Sequence, residues 1–182
     1  MESFLDLVRS RRSIRRYEPR DVTDQMLDQV FEAVRWSPSW ANTQCWDIVV
    51  VRDPDTKKRL QETIAPKNPA TAAIIGAPVV LALAGRLKAS GYYDGVVTTS
   101  LGDWLLYDLG IATQSLCLAA HKMGLGTVIV GLFDHAGAAA ALKIPATHQL
   151  VTLIPMGFPA KVGRAPERKP ASEFIHREAF GR

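Results

Sequence analysis

Four short apolar runs constrain the fold of this chain more than any other feature. They are Asp47-Ile48-Val49-Val50-Val51-Arg52, Pro78-Val79-Val80-Leu81-Ala82-Leu83-Ala84, Thr127-Val128-Ile129-Val130-Gly131 and Leu150-Val151-Thr152-Leu153-Ile154. Continuous runs of this kind read as strands covered on both faces. Between them the period changes. Met26, Leu27, Val30, Phe31 and Val34 share one face of a helix that Thr23 or Asp24 caps and Ser37-Pro38 stops. Leu105, Leu109, Ala112, Leu116, Ala119 and Met123 recur at steps of four and three, and Gly124 and Gly126 end that helix. Shorter helices are expected over residues 2–9, with Phe4, Leu5 and Val8 as the apolar side, near 57–64 after Asp53-Pro54-Asp55, and between Asp134 and Pro145. Alternation of the two kinds of segment implies an α+β (α/β-type) fold with a central sheet flanked by helices. No linker or repeat divides the 182 residues, so one domain over 1–182 is expected. Residues 85–94 are weakly patterned and read as an exposed loop or a lid. From about 155 onward four prolines (Pro155, Pro159, Pro166, Pro170) predict an extended tail that wraps a partner subunit.

Several function classes are disfavoured. Hydrophobic residues at 47% and charged residues at 22% are ordinary globular usage, which argues against disorder. Cys45 and Cys117 are far apart without a CxxC spacing, and the four histidines never fall at i, i+4, so neither a disulfide framework nor a metal site is expected. The uncharged stretch between Asp108 and His121 is too short to span a membrane. Met1-Glu2-Ser3 carries acid where an export leader carries base, and a cytoplasmic location is the expectation. There is no G-x-G-x-x-G after a strand, no G-x-x-x-x-G-K-[ST], no G-x-S-x-G and no H-E-x-x-H. With no evident nucleophile or acid–base pair, an enzyme built this way needs a borrowed cofactor.

The net charge of +4 is unevenly spread. Arg9, Arg11, Arg12, Arg15, Arg16 and Arg20 crowd a stretch whose one acid is Glu18, and Lys161, Arg164, Arg168 and Lys169 form a second basic cluster. Guanidinium forks match phosphate oxygens and stay charged, so a phosphate ligand is indicated, on nucleic acid or on a small cofactor. The loop Ser37-Pro38-Ser39-Trp40-Ala41-Asn42-Thr43-Gln44 adds amides and hydroxyls able to read a flat heterocycle.

In order along the chain, Arg11-Arg12-Ser13-Ile14-Arg15-Arg16-Tyr17, then Ser37-Pro38-Ser39-Trp40-Ala41-Asn42-Thr43-Gln44-Cys45-Trp46, then Asp108-Leu109-Gly110-Ile111-Ala112, Leu118-Ala119-Ala120 and Gly124-Leu125-Gly126 resemble the nitroreductase family of FMN-dependent oxidoreductases. The resemblance implies an interlocked homodimer with a mixed central sheet and FMN at the interface. NADH or NADPH would supply electrons that pass through flavin N5 to a small acceptor such as a nitroaromatic or quinone. Arg11, Arg12 and Ser13 match positions on the FMN phosphate and ribityl chain, and Arg15 the cation beside N1 and O2. Pro38, Ser39 and Asn42 match the loop that approaches from the other subunit, with Trp40 and Tyr92 or Tyr93 on the substrate face. Val130 and Gly131 match the backbone beside the ring, and Arg168, with Lys169, the C-terminal basic position on the phosphate. Arg16 and Arg20 read as solvated, Tyr17 and Trp46 as packing, and Asp108 as a helix anchor. Cys45 stands where the family has proline, leaving a thiol near the cofactor. A flavin-fragmenting or reductively dehalogenating member of the family, a non-catalytic flavin sensor, and a colourless nucleic-acid-binding module are the alternatives.

Overall fold

Caps and turns set the element boundaries in the computed structural model, which describes residues 3–181. Helix α1 (Phe4–Ser10) starts at Ser3, which exchanges hydrogen bonds with Asp6 in a capping box. The expected helix at 2–9 thus holds, with residue 2 outside the described residues. Thr23 rather than Asp24 caps α2 (Asp24–Arg35), accepting the Met26 N–H at 3.3 Å. Strand β1 (Trp46–Val51) leads through the Asp53 cap into α3 (Pro54–Glu62) and then α4 (Thr71–Gly76). Strand β2 (Val79–Arg86) is followed by a hairpin, β3 (Tyr92–Tyr93) and β4 (Val96–Val97), where the sequence suggested a plain loop. Helix α5 (Leu105–Lys122) ends in a Schellman turn. Gly124 takes φ 78°, Leu125 N–H donates to Ala120 O at 2.9 Å and Gly124 N–H to His121 O at 3.0 Å. Strand β5 (Gly126–Thr127), α6 (His135–Ala141) capped by Asp134, and β6 (His148–Gly157) complete the order.

The sheet runs β1-β2-β6-β5 with every neighbouring pair antiparallel, and a parallel bridge joins Ser13 to Thr127. Strand period divides the core in two. Val79, Leu81 and Leu83 of β2 face α2 and α5, whereas Val80 and Ala82 belong to the cluster with Leu60, Ile74 and Ala138 of α3, α4 and α6.

Two strands differ from expectation for identifiable reasons. β1 is an edge strand, not buried on both faces: Val51 alone is fully buried, and Val50 is 40% exposed. The third run forms only the two-residue β5, because its partner across the sheet is a proline. Val128 N–H reaches Pro155 O at 3.4 Å, but Pro155 has no N–H to return, and pairing resumes only at Val130 with Leu153. β6 itself continues to Gly157, so the exposed tail starts after Phe158 rather than at 155. Phe4, Leu5 and Val8 are exposed, since none of the described residues covers that side of α1. No described helix is long and apolar enough to cross a membrane.

Candidate functional site

Backbone pairing brings the two basic clusters together. After α1 the chain runs extended along the end of the sheet. Ile14 N–H donates to Thr127 O at 2.8 Å, and the Tyr17 hydroxyl lies 2.7 Å from Ile14 O and 2.9 Å from Pro155 O. Gly126 is needed here, because a Cβ on it would run into the Ile14 side chain. The departing tail pairs with the same segment: Glu18 N–H donates to Phe158 O at 2.9 Å and Ala160 N–H to Arg16 O at 3.0 Å. The tail then returns across the arginines.

The result is a cavity of about 210 Å³ lined by Arg11, Arg12, Ser13 and Arg15 from the N-terminal segment and by Gly163, Arg164, Pro166 and Arg168 from the tail. Five predicted residues therefore meet, including Arg168 from the far end of the chain. The Arg12 guanidinium donates to Arg9 O and to Arg11 O, while none of these five arginines forms an ion pair with a carboxylate among the described residues. Lys169 does not line the cavity and Arg164 does. An extended segment shows alternate residues to one side, so Arg164, Pro166 and Arg168 share a face that Lys169 leaves. That phase was the available signal. Arg20 is not simply solvated: its guanidinium lies 3.6 Å from the centre of the Phe158 ring.

Arg15 also lines a second cavity, of about 340 Å³, with Lys67, Asn68, Ile129, Val130 and Gly131. Val130 is held by reciprocal backbone bonds to Leu153 at 2.9 and 3.0 Å, and its carbonyl accepts the Thr152 hydroxyl at 2.9 Å. The His135 ring nitrogens lie 3.1 Å from Gly131 O and 3.0 Å from Leu150 O, bracing the segment from behind. Lys67 and Asn68 were missed, since a turn between two prolines carries no periodic signal. A planar ring with a phosphate arm fits this arrangement: a slot with backbone on one side joins a cationic pocket that its own protein leaves unneutralised.

The remaining predicted residues lie elsewhere. Pro38, Ser39 and Trp40 line a third cavity of about 300 Å³ with Trp104, Tyr107, Asp108 and Ile111; Asn42 does not line it. Ala41, Asn42 and Gln44 hold left-handed φ of 46°, 55° and 45°. Ser39 Oγ accepts the Gln44 N–H at 2.9 Å, and Asn42 Oδ1 accepts from Gln44 Nε2 at 3.2 Å. Among the described residues Thr43 Oγ1 is a buried side-chain oxygen without a hydrogen-bond partner. The Trp40 ring centre lies 4.8 Å from that of Tyr93. Asp108 does more than anchor α5, for its carboxylate accepts the Trp40 N–H at 3.1 Å. Cys45 is buried rather than poised beside a ligand; burial first, then the charge and hydrogen bond of Asp108, push its thiol up to about 12. Burial also raises Cys117 and Tyr17. No group of described side chains could hold a metal ion.

Comparison with known proteins identifies the family. Residues 8–158 match the model of the nitroreductase family. The chain is 31% identical over 190 residues to the NADH dehydrogenase of Thermus thermophilus, covering 91% of each chain. It is 28% identical over 191 residues to the FMN reductase (NAD(P)H) of Bacillus subtilis, covering 99% of this chain and 75% of that one. A structure from Exiguobacterium sibiricum solved in complex with FMN superposes with a TM-score of 0.85 at 22% identity, over 97% of each chain, which shows a shared fold. The chain belongs to the nitroreductase family.

Proposed function

We propose that the protein is an NAD(P)H-dependent FMN oxidoreductase that delivers electrons to a small acceptor such as a nitroaromatic or quinone, acting as a cytoplasmic homodimer. One observation carries the reading: Arg11, Arg12, Ser13 and Arg15 meet Arg164 and Arg168 on a cavity that shares Arg15 with the Val130–Gly131 slot. FMN, when bound, supplies the two-electron chemistry that no side chain here provides. The arginines of the first cavity hold its phosphate with charge-assisted forks. Arg15, at the junction, would be the fixed cation that stabilises negative charge on the reduced cofactor. Val130 and Gly131 offer backbone, held in place by Leu153, Thr152 and His135.

The loop 37–44 lines a different cavity from these residues, so it serves the flavin of a second copy. Surface chemistry supports a dimer. Phe4, Leu106 and Tyr107 are 69%, 60% and 63% exposed, and the outer edge of β1 pairs with no strand among the described residues. Beyond the residues that line the cavity the tail is exposed, with Phe174 and Ile175 uncovered, which supports its reaching over a partner. A nucleic-acid module is the weaker reading, because the arginines converge on a concave pocket instead of spreading over one face.

The deciding experiment is a visible spectrum of the purified protein, followed by addition of NADH or NADPH under argon. A flavin spectrum that bleaches and recovers on adding a nitroaromatic supports the reading. A protein that stays colourless after dialysis against FMN removes it, and one that binds FMN but never bleaches is a sensor.

A further inference from the structure

The first turn of α5 buries a carboxylate that no cation pairs with among the described residues. Asp108 is 1% exposed and forms no ion pair there. Burying such a charge is costly unless its lone pairs are filled. They are filled by three neutral donors from two segments. The Trp40 N–H lies 3.1 and 3.2 Å from the two oxygens, the Ser90 hydroxyl donates to Oδ2 at 2.6 Å, and the Cys45 thiol lies 3.8 Å from Oδ2. Trp40 belongs to the loop after α2, Cys45 precedes β1, and Ser90 stands between β2 and β3.

That convergence falls where the backbone most needs holding. The loop passes through left-handed conformations at Ala41, Asn42 and Gln44, which residues with a Cβ keep only when the surroundings over-determine them. Trp40, whose N–H Asp108 takes, packs its ring against Tyr93, three residues beyond Ser90. One carboxylate thus holds Trp40 directly and, through Ser90, the segment that carries Tyr93. Trp40 and Asp108 border the same cavity, with Trp104 and Tyr107 opposite in sequence.

We propose that Asp108 is a positioning residue: its carboxylate locks the 39–45 loop and the 90–93 segment into one wall, against which the electron acceptor rests. It acts through Trp40 and Ser90. The acceptor's place on that wall rests on the functional reading given above; the clamp itself does not.

Asp108→Asn tests it, because an amide group must turn donors toward at least one of the donors now satisfied. Hydrogen exchange is followed in the FMN-loaded and the flavin-free protein. The expected result is exchange about tenfold faster at amides 39–45 and 90–93, with amides 112–120 of α5 at wild-type rates. The KM for a nitrobenzoate acceptor rises about tenfold while kcat stays within about threefold. Unchanged exchange at 39–45, or protection lost throughout α5, overturns the proposal, as does a local rise in exchange with no change in KM. Ser90→Ala keeps the carboxylate and deletes one donor; it is expected to speed exchange at 90–93 with a smaller effect at 39–45, and no change at 90–93 counts against the clamp. If the protein never takes FMN, the functional reading fails, yet the flavin-free exchange still decides the clamp: a local rise supports it and none defeats it.

Discussion

Arg15 lines both cavities of the proposed cofactor site, and the role proposed for it differs from that of its neighbours. A cation fixed beside a ring that gains negative charge favours the reduced form. Arg15→Ala is therefore expected to lower the flavin reduction potential more than it weakens FMN binding; an unchanged potential contradicts the assignment. The tail arginine Arg164 makes the opposite pattern. Hydrogen bonds to charged groups are worth about 1.5–3 kcal/mol, so Arg164→Ala is expected to weaken FMN binding roughly tenfold to a hundredfold. Lys169→Ala, altering the next face of the same extended segment, is expected to leave affinity close to wild type. Equal losses in a fluorescence titration would mean that the tail is not extended there. The N-terminal arginines, Ser13 and Arg168 were legible in the sequence because charge density and motif order both marked them. Arg164 and Lys169 could be told apart only by strand phase, and Asp108 was underestimated because its partners lie 68, 63 and 18 residues away in the chain.

Elements show where local pattern succeeds and where pairing overrides it. The helices α2 and α5 appear where periodicity and caps placed them, since Thr23, the Ser37-Pro38 stop and Gly124 act within a few residues of sequence. Strand extents depended on partners. Nothing in the run Thr127–Gly131 announces that Pro155 will stand opposite Val128 and interrupt the ladder. Nor does the apolar character of β1 reveal that its outer edge has no neighbouring strand among the described residues. Gly126 carries the link from β5 to the site, because Ile14 packs where its Cβ would be. Gly126→Ala is expected to cost about 1–3 kcal/mol by overpacking and also to displace Arg11 and Arg15. A lowered denaturation midpoint should come with weaker FMN binding; a destabilised variant with wild-type affinity would detach this strand from the site.

At the scale of the whole molecule, two buried thiols and a half-buried phenol make the fold sensitive to alkali. Cys45, Cys117 and Tyr17 all hold their protons more tightly when folded, chiefly through burial. A raised folded value gives stability that is complete below the unfolded value and lost as pH rises. For Cys45 the loss runs from the ordinary thiol value of 9.0 toward about 12. Lys57, lowered by burial, pulls in the other direction. Stability measured by denaturant titration is expected to fall above pH 9, and Cys45→Ala to flatten that fall; a profile level beyond pH 10 is the contrary result. The α+β class and the flanked sheet were legible from alternation alone. The separation of loop 37–44 from the arginine pockets was legible only through the family resemblance, which put that loop on the other subunit, because no local pattern in the loop marks it. The central claim is that guanidinium groups from both ends of the chain grip one phosphate, and comparative titration of FMN and riboflavin, which lacks the phosphate, tests it most directly. FMN is expected to bind at least about a hundredfold more tightly, with Arg11→Ala and Arg168→Ala each removing much of the difference. Equal affinity for the two flavins in the wild-type protein would contradict the account.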